Sequence, residues 1–351
     1  MSKQAKQKLP NERHPGDDQG SRTRPERLLK WVGGITAVLS LIFGLHQMIR
    51  LVSDVRERQR QITELYKVGK LQQGNADYST AWASFEQAMK SAEPGGQLAK
   101  LTGQLGDERI KLREAQEDLA MDWLRNIRTS GDQTFSDIVD QLVPVLDQGI
   151  VSASGTRQAD LLAHVGWANF LRWRDGHREL NPEQQYRQAL TIDPANPYAH
   201  SHLGHWQFLQ RENIAAAKEH FLAAMATGRA QDYVRKIHLA ALKNLGSDGD
   251  GEFLAVVNDM RKNNETIDAQ TRADLYSIYY FACSNRYDAE RFAKLLAAVP
   301  AAEQVATFRA LFYGKHDSDF DQWKRPGWDA CLATLLEAAG QREEALQIWQ
   351  P

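Results

Sequence analysis

One segment of the chain, ITELYKVGKLQQGNADYSTAWASFEQAMKSAEPG at residues 62–95, has the pattern of two helices joined by a short turn. The turn ADYSTA lies at 76–81, and Pro94 closes the segment. The small and aromatic residues that would pack one helix on the other are Gly69, Ala81, Phe85 and Ala88. Small residues allow close approach, and an aromatic ring fills the gap to a neighbouring pair. Since one pair cannot bury its apolar face alone, the pattern predicts further pairs stacked beside it.

The same combination of residue types recurs downstream and resembles the tetratricopeptide repeat, a helix pair of about 34 residues. The resemblance covers residues 62–95, about 183–228 and about 326–351, and DPANPYAHSHLG at 193–204 resembles the junction between two repeats. The matching residues in the two later regions are Tyr186, Ala189, Pro194, Leu203, Gly204, Ala217, Phe221, Ala224, Gly340, Ala345 and Trp349. The resemblance implies an all-α fold, a right-handed solenoid of α-hairpins whose concave surface binds proteins or peptides.

An uncharged segment of nineteen residues, WVGGITAVLSLIFGLHQMI at 31–49, precedes these helices. As a helix it would be roughly 28 Å long, close to the ~30 Å hydrocarbon core of a bilayer. A cleaved signal peptide would need small residues at its cleavage site, which HQMIRLVSD lacks, and a buried core helix is the other alternative. We expect an uncleaved transmembrane anchor over 31–52.

The tail before this segment, residues 1–30, carries eight Lys and Arg residues against four Asp and Glu residues. With almost no apolar side chains it cannot offset the entropy of ordering, so we expect a disordered basic tail. Its charge favours the cytoplasmic side, whereas a long downstream domain can cross a membrane regardless of charge. We therefore expect a cytoplasmic N-terminus and a periplasmic C-terminal domain; a domain facing the cytosol is the alternative.

The chain beyond the anchor favours helices over strands throughout. Apolar residues recur three or four positions apart, as in Leu98, Leu101 and Leu105, and no sustained alternation of apolar and polar residues occurs. Segments rich in Gly, Asp, Asn and Pro separate helix-sized blocks. We expect a juxtamembrane helix and a first hairpin over 53–95, and a helical repeat domain over 96–351.

The composition of the 351 residues excludes several classes of function. A net charge of −2, from 43 Lys and Arg and 45 Asp and Glu, removes the broad electrostatic argument for nucleic-acid binding. Two cysteines, Cys283 and Cys331, cannot form a disulfide scaffold or a four-cysteine zinc site. We expect buried thiols, and a disulfide between them stays open if the domain lies outside the cytoplasm.

A group of histidines lies on one predicted helix, at His200, His202 and His205, with His220 on the next helix. His202 and His205 share a helix face, so a pair of metal ligands is geometrically possible. No Asp, Glu or Cys at neighbouring helical positions completes a ligand set. We expect no metal and no other cofactor, and we interpret His200 as an aromatic packing position of its repeat.

Two acidic segments match the calcium-binding loop only in part. Their carboxylates are Asp248, Asp250 and Glu252 in one segment and Asp317, Asp319 and Asp321 in the other. The sixth place of such a loop needs Gly for a sharp turn and is Phe253 or Gln322 here. We interpret both segments as loops between helices with N-terminal caps.

The candidate binding residues follow from the resemblance, because four positions of each first helix line the concave groove of this repeat class. These positions map onto Thr63, Tyr66, Lys70 and Gln73 in one repeat and onto Tyr198, Ser201, His205 and Phe208 in another. The Lys and Asn clamp by which chaperone-binding members hold two carboxylates is not reproduced at these positions. As an alternative, the second set packs against the next hairpin instead of facing a partner.

The function that the sequence predicts is that of a membrane-tethered scaffold or assembly factor for envelope proteins, at the inner membrane of a bacterium. A cytosol-facing adaptor or import-type receptor is the alternative. No nucleotide-binding glycine loop, catalytic-serine motif or zinc-protease motif occurs in the sequence, so we expect no catalytic residues and no enzyme. An enzyme built on a helical domain is the more distant alternative.

Overall fold

The structure is a computed structural model, and it confirms the all-α expectation for the residues that it describes. The described ranges are 24–93, 105–211, 213–283, 288–313 and 325–349, with side chains from residue 39 in the first range and from residue 327 in the last. Within them the chain forms α-helices and one short 3-10 helix, and no strand. The predicted tail falls mainly on residues outside these ranges, and the first helix begins at Arg24.

The helices follow one another with short connections. Their bounds are α1 (Arg24–Gly74), α2 (Tyr78–Ser91), α3 (Gly106–Arg125), α4 (Phe135–Ser152), α5 (Gly155–Arg174), α6 (Glu183–Ile192), α7 (Pro197–Gln210), α8 (Ile214–Ala226), α9 (Gln231–Asn244), α10 (Asp250–Lys262), α11 (Ala269–Cys283), α12 (Ala289–Ala298), α13 (Ala301–Phe312), α14 (Arg325–Ala338) and α15 (Arg342–Trp349). The 3-10 helix spans Gly246–Asp248.

Helix α1 is much longer than the others, with 51 residues and therefore a length of roughly 77 Å. It runs without a break from the predicted anchor into the first helix pair, so no flexible linker separates them. Its large apolar side chains from Leu39 to Ile49 are exposed, whereas Ile62 is only 3% exposed in the core. The N-terminal part of α1 therefore stands outside the packed helices.

Among the described residues, no single helix is long and apolar enough to span a membrane. Helices α12 and α13 have that length and apolar composition only together, with a bend of 95° between them. Of the predicted anchor at 31–52, the side chains of residues 31–38 lie outside the described part.

Packing runs mainly between helices that are close along the chain. Consecutive helices from α1 to α9 contact each other, and the next-but-one contacts are α1 with α3, α3 with α5, α5 with α7, and α7 with α9. In the C-terminal part α10 contacts α12, and α11 contacts α14. Each helix thus has few partners, and α5 and α7 have neighbours on both sides.

Three helix pairs share one close contact between a glycine and an aromatic ring. A Cβ atom built on Gly69, Gly166 or Gly204 would lie 2.7 Å from Phe85, 2.5 Å from Tyr186 or 3.0 Å from Phe221. Each distance is shorter than an ordinary van der Waals contact, so only glycine lets the two helices of each pair approach this closely. The pairs are α1 with α2, α5 with α6, and α7 with α8.

The other residues expected to pack the repeats occupy several environments. Ten are at most 1% exposed: Ala81, Phe85, Ala88, Tyr186, Ala189, Leu203, Ala217, Phe221, Ala224 and Ala345. Pro194 is exposed, and Trp349 is 48% exposed with its Nε1 donating to Glu337 at 3.2 Å. Gly340 follows α14 with a φ of +77°, where Gln341 N donates to Leu336 O at 2.8 Å and ends the helix.

The start of α7, which carries part of the candidate site, is set by local chemistry. Asn196 accepts a hydrogen bond from Ala199 N at 2.9 Å, and Pro197 occupies the first turn, where no N–H partner is needed. Asn196 also donates to Asp160 of α5 at 2.6 Å. This cap therefore ties the beginning of α7 to the preceding pair.

Candidate functional site

Helices α5, α7 and α9 form a cleft of about 600 Å³. Its lining is apolar and aromatic with a basic edge, and it consists of Trp167, Phe170, Trp173, Arg174, Arg178, His205, Leu209, Lys236, Ile237, Ala240, Lys243 and Asn244. A volume of this size falls within the range of ligand-binding clefts. We call this feature the α5–α9 cleft.

The aromatic side chains of the α5–α9 cleft are held rigidly by one another. Trp167 and Phe170 are 8% and 3% exposed, with ring centroids 4.8 Å apart. The Trp167 ring stacks on His202 at 4.7 Å, and its Nε1 donates to Leu124 O at 3.2 Å. Packed rings with few rotatable bonds present a preorganised surface, which lowers the entropy cost of binding.

The edge of the cleft carries four cations, and the described lining contains no carboxylate. Lys243 forms an ion pair with Asp274 at 2.5 Å. Arg174 lies over the Phe135 ring at 4.9 Å, and Arg178 lies over the Trp173 ring at 3.7 Å. Among the described residues, neither arginine forms an ion pair with a carboxylate.

The fourth cation, Lys236, is held at the end of α3. Its Nζ donates to Arg125 O at 3.3 Å and to Asn126 Oδ1 at 3.4 Å. Backbone carbonyls at the end of a helix carry partial negative charge, so this position suits an ammonium group. Burial and the nearby Arg128 nevertheless lower the pKa of Lys236, and Asp268 opposes that shift.

His205 borders the cleft and is only 5% exposed. Phe170 contacts its ring edge-on at a centroid distance of 5.0 Å, and Nδ1 has no hydrogen-bond partner among the described residues. Burial and the positive charge of Arg174 lower the pKa of His205 to about 4, so the ring is neutral at pH 7. A neutral imidazole can donate one hydrogen bond and accept another.

A buried polar network connects α5, α7 and α9 next to the cleft. His164 Nδ1 donates to Asp160 O at 2.6 Å, and Arg125 lies 3.3 Å from its Nε2. His202 Nδ1 donates to Ala163 O at 3.2 Å, and its Nε2 accepts from Tyr233 Oη at 2.7 Å. Burial and Arg125 lower the pKa of His164 to about 3, and burial and His164 lower that of His202 well below its usual value.

The groove residues predicted on α7 lie mostly in the core. Ser201 and Phe208 are 0% and 1% exposed, and Phe208 packs against Phe221 at a centroid distance of 5.8 Å. Tyr198 is partly buried and contacts His164 at 4.7 Å. Helix α9 lies against α7, so Ser201 and Phe208 are buried and Tyr198 is partly buried, as expected if this face packs against the next hairpin. Only His205 of this set borders the α5–α9 cleft.

Three of the four groove residues predicted on α1, Tyr66, Lys70 and Gln73, lie next to α2 or α3 and keep partial exposure. The Tyr66 ring lies 5.9 Å from Phe85 and under Lys111 Nζ at 4.5 Å. Lys70 donates to Gln73 at 3.1 Å, and Gln73 donates to Asp122 of α3 at 3.2 Å. These contacts form a polar seam between α1 and α3. Thr63 is exposed, and its hydroxyl donates to Gln59 O at 2.8 Å.

The described residues contain no group of three or more His, Cys, Asp and Glu side chains arranged to hold a metal ion. His200 donates through Nε2 to Pro194 O at 2.9 Å, and its Nδ1 lies 2.9 Å from Nδ1 of His220. Burial and His200 lower the pKa of His220 to about 4. The histidines thus have separate hydrogen-bond roles.

Of the two acidic segments, the structure describes the one with Asp248, Asp250 and Glu252. Asp250 forms an ion pair with Arg291, and Glu252 pairs with Lys218 and with His238, so both carboxylates already have cationic partners. The segment with Asp317, Asp319 and Asp321 lies outside the described residues.

Cys283 and Cys331 are buried free thiols. The hydrogen bond with Cys331, together with burial, raises the pKa of Cys283.

The cleft residues of α5 and α9 were missed by the sequence analysis. Trp167, Phe170 and Trp173 recur every three residues and share a helix face, a pattern that is also typical of a buried core face. Residues 155–174 were not assigned to a repeat, because the connection before Tyr186 is longer than in the other pairs. The signal that could have found them is the pair Gly166 and Tyr186.

No family model matches this chain, and no curated protein matches it.

Proposed function

We propose that this protein is a membrane-tethered scaffold that holds a segment of a partner protein in the α5–α9 cleft. The observation that carries the proposal is the cleft itself, with rigid buried rings, an apolar lining and a few polar groups at its edge. Partner-binding sites have this composition, since aromatic and Arg side chains supply most of the binding energy at protein interfaces.

The architecture that we propose is a tetratricopeptide-like solenoid of helix pairs. Two observations support it: helices contact their neighbours and next-but-one neighbours along the chain, and three pairs use a glycine against an aromatic ring. In a solenoid each unit contacts only adjacent units, and the first helices of successive pairs line one surface. The helices α5, α7 and α9 would be these first helices.

The membrane tether that we propose is the N-terminal part of α1. Large apolar side chains from Leu39 to Ile49 are exposed in the described chain, and an apolar surface of this kind favours contact with lipid or another apolar partner. Because α1 continues into the first pair, the membrane would hold the helical domain at a set distance. We propose a cytoplasmic N-terminus with the helical domain in the periplasm.

Binding and not catalysis is the activity that we propose for the cleft. Its described lining combines cations, apolar groups and one histidine, and it lacks the pair of nucleophile and base that covalent catalysis needs. Neutral His205 has its pKa far below the value that suits a general base at pH 7.

The cleft assignment is tested by site-specific photocrosslinking in membranes. Benzoylphenylalanine is placed at Ala240, an exposed lining residue, and at Leu222, which is 63% exposed on α8 and serves as the matched control. A discrete adduct from Ala240 and none from Leu222 is the expected result. Adducts of equal yield from both positions, or none from Ala240, contradict the proposed function.

The topology is tested separately. A reporter that is active only outside the cytoplasm, fused after residue 351, should be active. Activity of a cytoplasm-only reporter at the same junction would favour the cytosol-facing alternative.

A further inference from the structure

We infer that the α5–α9 cleft selects an acidic segment of a partner protein that also carries an apolar side chain. The inference rests on the proposed function and adds the chemistry of the ligand. It follows from the lining, which combines four cations with apolar groups and contains no carboxylate among the described residues.

The positive charge of the cleft favours an acidic ligand. Arg174, Arg178 and Lys236 are exposed and form no ion pair with a carboxylate within 4 Å among the described residues, and the carboxylate that acts on Lys236, Asp268, lies outside the lining of the cleft. The whole chain has a net charge of −2, so the positive edge is a local property. A local excess of one sign attracts the opposite charge and speeds association.

The apolar lining of the cleft favours a ligand that also carries an apolar side chain. Leu209, Ile237 and Ala240 line the same cleft as the basic groups and the rings of α5. An acidic segment alone would leave this surface in contact with water, whereas a Leu or Phe side chain would cover it and gain roughly 25 cal/mol per Å² of buried apolar area. The complementary ligand therefore has both properties.

A single-stranded nucleic acid is less suitable, although it is also acidic. Base stacking needs open ring faces. Here the Trp167 face is covered by His202 at 4.7 Å, and the Trp173 face is covered by Arg178 at 3.7 Å. The chain's own tail is unsuitable as well, because residues 1–30 carry eight basic and four acidic side chains.

The test uses the full chain in a neutral detergent and fluorescein-labelled peptides, with binding followed by anisotropy. The probes are DEDFLEDE, its charge-reversed form KRKFLKRK, and DEDGGEDE, which lacks the apolar pair. We expect DEDFLEDE to bind at least tenfold more tightly than either of the other two. Its affinity should fall as the salt concentration rises, because exposed charges are screened.

The variant Arg174→Glu with Lys236→Glu should lose at least tenfold in affinity for DEDFLEDE and should gain affinity for KRKFLKRK. The control variant Arg60→Glu with Lys90→Glu, on exposed residues of α1 and α2, makes the same charge change away from the cleft and should have no effect. If the double variant is misfolded by circular dichroism, Arg178→Gln, on an exposed side chain, replaces it and should lower the affinity several-fold.

Four results would overturn the inference. Equal binding of acidic and basic peptides, unaffected by the cleft variants, would remove the charge selection while an Ala240 adduct would still support the proposed function. Equal binding of DEDGGEDE would remove the apolar requirement. Displacement of the peptide by an oligothymidylate at similar concentration, or a dimer of the chain that the cleft variants abolish, would assign the cleft to a nucleic acid or to a second copy.

Discussion

The pairs α1–α2 and α7–α8 use the same internal contact and yet present different surfaces to the rest of the molecule. In both, a glycine meets an aromatic ring, Gly69 with Phe85 and Gly204 with Phe221. On α1 the corresponding outer face keeps partly exposed Tyr66 and Lys70, whereas on α7 the equivalent His205 is 5% exposed. The difference shows that the helices packed around a pair, and not the glycine–aromatic contact within it, decide whether a side chain is available to a partner.

The physical reason lies in the neighbours. Beyond its own partner α8, helix α7 contacts α5, α6 and α9, so three further helices cover it. Helix α1 has only α3 beyond its own pair, and their contact is a polar seam through Gln73 and Asp122. The accessible surface near α7 is therefore the cleft that α5, α7 and α9 line together.

Low pH should produce the largest difference in stability between the region of α7–α8 and the pair α1–α2. His164, His202 and His205 are neutral and buried in α5 and α7, and their pKa values are lowered by folding, to about 3 for His164 and about 4 for His205. The unfolded chain binds these protons near pH 6.5 and the folded chain does not, so their contribution to stability is complete above about pH 6.5 and is lost as the pH falls toward 4. We expect a loss of up to ~1.4 kcal/mol per pH unit for each histidine.

Hydrogen exchange is measured at pH 7 and pH 5 and corrected for intrinsic rates. On acidification, exchange should accelerate more in the helices from α5 to α9 than in α1 and α2. The one histidine of α1 and α2 is His46, which is exposed. His205→Leu removes one titrating group and should reduce the pH dependence by about one proton. Uniform opening of both regions would contradict the comparison.

Truncation of one aromatic residue in each pair should have unequal effects. Phe208→Ala removes a ring that is 1% exposed between Phe221 and His238, and it should cost about 3–5 kcal/mol of stability. Tyr66→Ala removes a partly exposed ring beside Lys111 and should cost roughly 1 kcal/mol. Denaturant unfolding of the full chain, followed by circular dichroism, measures both. Similar costs would mean that α1 is as well covered as α7.

The shared glycine contact gives a smaller effect. A Cβ at Gly166 would lie 2.5 Å from the fully buried Tyr186 ring, which has no room to move, so Gly166→Leu should cost about 1–3 kcal/mol. Gly106→Leu is the matched control, because nothing lies within 4 Å of a Cβ there. Equal melting temperatures of the two variants would show that the close contact does not limit stability.

Local pattern by itself determined the helices and part of their pairing. The contacts of Gly69 with Phe85 and of Gly204 with Phe221 join residues within one helix pair, at separations of 16 and 17 residues that follow from two helices and a short turn. Such contacts are predictable because few loop geometries connect the two elements. The longer connection before Tyr186 changed this spacing, and the Gly166 contact was therefore missed.

Only the tertiary structure decided which side chains meet at the cleft. Trp167, His205 and Lys236 come from three helices, and their proximity depends on how successive pairs stack. That stacking is set by the summed packing of many buried side chains, and a single sequence shows the residue types without showing which neighbour covers them. The same reason explains α7: its aromatic and polar face could have lined a groove, but the packing of α8 and α9 against it placed Phe208 in the core.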